Sequence, residues 1–118
     1  MTFSFEDLEV YQKALDFSVS VINMVDKMDT PRKHYRLIEQ LEASSTSVAL
    51  NVAEGKGRFS KKELKQFLYI ARGSLYETVA MLQILKKKEW LDNAIYRKAY
   101  LEAEEISKML SGLINSIQ

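Results

Sequence analysis

Six cations crowd one short stretch of this chain: Lys56, Arg58, Lys61, Lys62, Lys65 and Arg72, with Glu63 the only carboxylate opposing them. The chemistry such a cluster offers is attraction for phosphate. Two readings stand for it: a solvated charge run with no partner, or a surface for a nucleic-acid backbone, whose binding would be salt-dependent and largely blind to sequence. The cluster opens a predicted helix, because Ser60-Lys61-Lys62-Glu63 has the pattern of a capping box. Basic side chains oppose the dipole preference at a helix start, so local helix stability does not account for them. Free amides in the same turn add to the attraction for an anion. Gly55-Lys56-Gly57-Arg58 is not a phosphate-binding loop, since it lacks both the Walker spacing and a preceding strand.

Immediately upstream runs a polar stripe. Gln40, Ser44, Ser47, Asn51, Glu54 and Arg58 recur every three or four residues and fall on one narrow helical arc. Its side chains are mainly short hydroxyls and amides, and Ala43, Ala49 and Ala53 keep the rest of the helix slim. Two readings stand. One is a lightly charged solvent face with a Glu54–Arg58 i,i+4 pair. The other is a close contact, within a bundle or between subunits, in which small residues allow near approach and polar groups fix register. Gly55 and Gly57 are expected to end this helix, because glycine readily takes the left-handed conformation at a C-terminus.

Catalytic constellations are nearly absent. Asn51, Glu54 and Glu77 are the only polar group that helical spacing brings to notice, and a lone carboxylate pair on helices is usually structural. The single His34 and the absence of cysteine argue against zinc, haem and disulfides. No enzyme activity and no cofactor are expected. A length of 118 residues suits one domain. The N-terminus lacks the pattern of a signal peptide, no stretch is long and apolar enough to span a bilayer, and a cytoplasmic location is expected. The net charge of +1 hides a segregation. Residues 1–55 carry five basic and nine acidic side chains, residues 56–88 nine and two, and residues 89–118 three and five. A basic island in an acidic surround speaks to partners rather than fold.

The elements that must position these groups are four helices. Apolar residues recur at three and four positions throughout, and no useful stretch alternates with period two. The first helix has two apolar stripes, Leu8, Tyr11, Leu15, Ser18, Ile22 and Val25 beside Ala14, Phe17, Val21, Met24 and Met28, with Ser4 and Asp7 as its cap. Asp29-Thr30-Pro31 is the first break, with Thr30 capping and Pro31 at the first helical position. The second helix carries Leu37, Leu41, Ser45, Val48 and Val52 inward. The third has the most regular seam: Leu64, Leu68, Ala71, Leu75, Thr78, Leu82 and Leu85, widened by Phe67, Ile70, Met81 and Ile84. Lys86-Lys87-Lys88 suits its C-terminus, and Asp92 or Asn93 caps a fourth helix with Tyr96, Ala99, Ala103, Ile106, Leu110, Leu113 and Ile117 inward. Short connections between such helices predict an all-α, up-down-up-down four-helix bundle.

Several of these residues also resemble a known family. Gln40, the run Asn51 to Arg58, Phe59-Ser60, Glu63, Phe67-Leu68-Tyr69-Ile70-Ala71, Gly73-Ser74 and Glu77 look like the four-helix-bundle proteins named for the 23S rRNA intervening sequence. The opening Phe5 to Ala14 and the closing Lys108 to Leu113 are similar to that family as well. Glu42-Ala43 stands where members often carry paired arginines, and Tyr11 where they carry tryptophan. The resemblance implies a homopentamer. By analogy with a related basic pentameric accessory protein of diversity-generating retroelements, it implies a scaffold for RNA or DNA. A protein-interaction scaffold with no nucleic-acid role is the alternative. In either case Gln40, Ser44, Ser47, Asn51, Glu54, Gly55, Gly57, Ser74 and Glu77 form the expected structural or interface motif.

Overall fold

The computed structural model describes residues 3–28 and 34–118. A 3₁₀ turn, Ser4–Asp7, leads into four helices: α1 (Glu9–Lys27), α2 (Tyr35–Lys56), α3 (Lys61–Lys87) and α4 (Asn93–Ser116). Neighbours in sequence are neighbours in space. α1 packs on α2, α2 on α3, α3 on α4 and α4 back on α1, with no diagonal contact among the described residues. That is the antiparallel four-helix bundle which short connections favour. It measures 45 × 23 × 23 Å. No helix is long and apolar enough to cross a membrane.

The third helix follows its sequence pattern closely. Leu68, Ala71, Leu75, Thr78, Leu82 and Leu85 are buried, and Leu64 packs partly buried against them. On α4 the residues from Tyr96 to Leu110 in the expected stripe are buried, after which Ile114 turns inward in place of Leu113. The first helix differs more. Ala14, Phe17 and Val21 of its second stripe are buried, joined by Val10, which neither stripe included, and by Ser18 of the first stripe, while Leu15 is 40% exposed. Leu15 lies about 100° round the helix from Ala14, which carries it past the edge of the buried arc. Nor do Ser4 and Asp7 cap α1. They lie in the separate 3₁₀ turn, and α1 begins after Leu8 with no side-chain cap. The expected break at Asp29-Thr30-Pro31 lies outside the described residues.

The remaining caps follow the sequence. Ser60 Oγ accepts the Glu63 amide at 3.1 Å, and Asp92 Oδ1 accepts the Ala94 amide at 2.7 Å. Glu63 completes its box by accepting the Ser60 hydroxyl at 3.2 Å rather than a backbone amide. The α3–α4 corner is a Schellman motif. Trp90 N donates to Leu85 O at 3.0 Å and Glu89 N to Lys86 O at 2.9 Å. Glu89 sits at C′ with a φ of 61°, the left-handed region that glycine prefers. Here a charged residue holds the position that glycine usually takes.

Burial and the neighbouring Asp16 and Glu105 raise the Glu102 carboxyl above its ordinary range against the pull of Lys98. Its Oε1 is buried with no hydrogen-bond partner among the described residues.

Two expectations follow. Replacing Glu89 with glycine relieves the left-handed strain, which outweighs glycine's unfolded-state entropy, and stabilises the fold by about 0.5–1 kcal/mol. A rise in urea midpoint with unchanged m-value would show it. Because the folded protein holds the Glu102 proton more tightly than the unfolded chain, stability falls as pH rises through the raised pKa. Glu102→Gln therefore melts higher than wild type at neutral pH. That advantage vanishes in acid, below the ordinary glutamate range, and melting curves across pH measure it.

Candidate nucleic-acid interface

The site is built at the end of the bundle where α2 gives way to α3. What brings these helices together is the polar stripe. Ser44 Oγ lies 2.8 Å from Thr78 Oγ1, and Ser47 Oγ lies 2.9 Å from Ser74 Oγ. Thr78 Oγ1 also donates to Ser74 O at 2.8 Å, and Asn51 Nδ2 donates to Ser47 O and Oγ, both at 2.8 Å. The five side chains form one ladder of hydroxyls and an amide along the α2–α3 seam. Ser44 and Thr78 are buried, and each hydroxyl has a carbonyl of its own helix, Leu41 O for Ser44 and Ser74 O for Thr78, as well as the other across the seam. On the opposite flank of α2, Ser18 Oγ lies 2.9 Å from Ser45 O and ties α1 to the same helix.

Gly55 closes the seam. It lies inside α2, buried, and the φ of neither Gly55 nor Gly57 is positive. The expected left-handed glycine stop is therefore absent. α2 ends at Gly57 in a right-handed conformation, with Gly57 N bonded to Ala53 O and Glu54 O. Gly55 serves packing instead. A β-carbon there would stand 2.7 Å from Phe67 Cβ and 3.3 Å from Leu64 Cδ1. Only a residue without a side chain lets α2 approach the start of α3 this closely. Gln40 and Glu54, at the ends of the stripe, are exposed. Glu54 pairs with Arg58 at 3.4 Å, so the expected i,i+4 pair is present. Asn51, Glu54 and Glu77 do not gather. Asn51 turns to Ser47, Glu54 to Arg58, and Glu77 stands exposed on α3. Among the described residues no three His, Asp or Glu side chains come together to hold a metal ion.

The six cations divide into two groups. Arg58 is committed, with its guanidinium paired to Glu54 and 4.7 Å from the centre of the Phe67 ring. Arg72 is committed too. Its Nη1 donates to Ser111 Oγ at 3.0 Å across the α3–α4 junction, and it lies 5.1 Å from the Tyr69 ring centre. Lys56, Lys61, Lys62 and Lys65 form no ion pair among the described residues. Lys61 and Lys65 share a flank of α3, being one helical turn apart, while Lys62 points about 100° further round. The four lysines thus lie in the last turn of α2 and the first two turns of α3, on either side of the corner, beside the two partnered arginines.

Two features of this corner are not conspicuous in the sequence. One is the Gly55–Phe67 contact. The other is Phe59, whose ring is 103% exposed at the tip of the turn. A large apolar side chain between two cations in a connection is the signal that marks it.

Gly55→Ala forces Phe67 and the seam apart and costs about 1–3 kcal/mol. Gly73, in the middle of α3, has nothing within 4 Å of an added β-carbon. Gly73→Ala gains about 0.5–1 kcal/mol from helix propensity. Chemical denaturation of the two variants gives opposite signs if the α2–α3 approach is the cause.

Comparison with known proteins agrees with this architecture. The family model described as 23S rRNA-intervening sequence protein matches residues 6–112. Among solved structures, a protein of unknown function from the S23 ribosomal protein family of Bacteroides thetaiotaomicron superposes with a TM-score of 0.84 at 26% identity. The match covers 91% of this chain and 96% of that one. The search of curated proteins finds no match. A bundle whose α2–α3 corner carries Asn51 to Arg58, matched over nearly its whole length, makes this chain a member of the 23S rRNA-intervening sequence protein family.

Proposed function

We propose that this protein is a non-enzymatic, oligomeric helical bundle of the cytoplasm that binds nucleic acid, RNA foremost, through the cations of the α2–α3 corner. The observation that carries the reading is the set Lys56, Lys61, Lys62 and Lys65, which surround one end of the bundle without internal counter-ions among the described residues. Four ammonium groups on a rigid corner contact successive phosphates of a backbone and release its condensed counterions. Arg58 and Arg72, tied to Glu54 and Ser111, position the corner more than they bind.

Assembly belongs to the same proposal. The outer face of α3 exposes Tyr69, Ile70, Tyr76 and Ile84, each between 47% and 54% exposed. A row of large apolar side chains on one helix is more than scattered exposure, and such faces mark contacts with other chains. Copies of this chain cover that face in a homo-oligomer, a pentamer by resemblance. The same face supports the second reading, in which a different protein covers it and nucleic acid has no role.

Salt titration separates the readings. RNA retention by the wild-type protein falls steeply with salt. In Lys61→Glu/Lys62→Glu the log–log slope is shallower by about 1.4–1.8, two contacts' worth. A properly assembled wild-type protein that retains neither RNA nor DNA at low salt overturns nucleic-acid binding. Light scattering tests assembly separately, and a monomer at micromolar concentration would overturn it.

A further inference from the structure

Phe59 stands where a helix entry normally hides an apolar side chain. It precedes the Ser60 cap, and Leu64 occupies the fourth position of α3, so the two are placed for a hydrophobic staple. The staple does not form. Leu64 is turned into the contact around Gly55, and Phe59 is 103% exposed, with no atom of the fold covering it. Burying a phenylalanine ordinarily stabilises a fold, and here that gain is forgone. The flanking residues are Arg58 and Ser60, and the nearest side chains in sequence with free charge are Lys56, Lys61 and Lys62. A bare aromatic ring set among unpaired cations combines two recognitions in one place: a π-face and a phosphate-binding surround.

Resting on the nucleic-acid reading above, we infer that Phe59 is a base-stacking contact and that the ligand of this corner is an unpaired stretch of nucleic acid rather than a duplex. Duplex bases are stacked on one another and offer the ring no face. In a single strand each base has a free π-face, and aromatic stacking combined with a cationic track is the usual means of holding it. The tightness of the turn favours this. With α2 ending at Gly57 and α3 beginning at Lys61, Phe59 projects from a short rigid corner, and little side-chain freedom besides its own torsions is lost on binding. The charges commit the occupant to a polyanion, and the ring commits it to one with exposed aromatic bases.

The test uses the full chain and three probes: a single-stranded oligoribonucleotide, its fully paired duplex of equal length, and inorganic polyphosphate, which has the charge but no bases. Because its ring touches nothing, Phe59→Ala leaves folding and melting unchanged. It weakens single-strand binding about 5- to 150-fold, the range for loss of one stacked base, and leaves polyphosphate binding unchanged. Phe59→Trp retains single-strand affinity, and its emission is quenched by the single strand and not by polyphosphate. The native Trp90, at the far end of α3 about 40 Å away, reports none of this. If Phe59→Ala binds the single strand as wild type does while Lys61→Glu/Lys62→Glu loses it, the cations bind and the stacking inference falls alone. If no variant and no wild-type protein binds any of the three probes, the underlying nucleic-acid reading falls with it. Equal affinity for duplex and single strand also overturns the inference. So does a Phe59-dependent change in oligomer mass, or Phe59-dependent binding to phosphatidylserine vesicles without an effect on oligonucleotides.

Discussion

The closeness of α2 and α3 is the constraint on which the rest of this molecule depends. Gly55 has no side chain because Phe67 already occupies the space, and the ladder of Ser44, Thr78, Ser47, Ser74 and Asn51 fills the seam above it with small polar groups. Large apolar residues at those positions would hold the helices farther apart. Hydroxyls allow near approach and satisfy one another once buried. They also favour one register, since a slip of either helix would separate Ser44 from Thr78 and Ser47 from Ser74.

From that seam follows the geometry of the corner. α2 runs into a turn of only four residues, Gly57 to Ser60, before α3 begins with a capped first turn. Lys56, Phe59, Lys61 and Lys62 are then held on a small rigid platform at one end of the bundle. Arg58 and Arg72 are drawn aside, one to Glu54 and the Phe67 ring, the other to Ser111 and the Tyr69 ring. With the two arginines committed to partners inside the chain, the unpaired cations of the corner are the lysines around one aromatic ring. The opposite end of α3 is built differently. A Schellman motif closes it, the ring of His34 lies 4.5 Å from that of Trp90, and of the three lysines there Lys86 lies over the Tyr96 ring and Lys88 over the Trp90 ring.

The outer face of α3 is another place where the fold leaves apolar surface uncovered. Tyr69, Ile70, Tyr76 and Ile84 remain exposed although the seam on the inner face is complete. Ile70 and Ile84 read from the sequence as a widening of the core, but each lies too far round the helix for α2 or α4 to reach. A wide apolar arc on one helix of a four-helix bundle exceeds what two neighbours can cover.

Much of the architecture was legible in the sequence. The 3.6-residue period, the capping pattern at Ser60 and the acidic cap at Asp92 are local properties, and the chain obeys them wherever they are strong, above all along α3. The small polar stripe of α2 was visible as an anomaly, but two meanings stood open, because spacing gives a side chain's direction and not its neighbour. Only the tertiary structure decided that Ser44 and Ser47 meet Thr78 and Ser74 inside one chain. Likewise the sequence marked Gly55 and Gly57 as special, yet it could not tell a helix stop from a close contact, since both need a missing β-carbon. The count of six cations was local information. Their division into two committed arginines and four unpaired lysines was only partly so: the Glu54–Arg58 pair is local, but the Phe67 ring beside Arg58 and the Ser111 hydroxyl that accepts from Arg72 depend on which helix folds beside each. The sequence by itself determined four amphipathic helices and a basic corner. The packing of α3 against α2 and α4 decided which charges and which ring that corner presents.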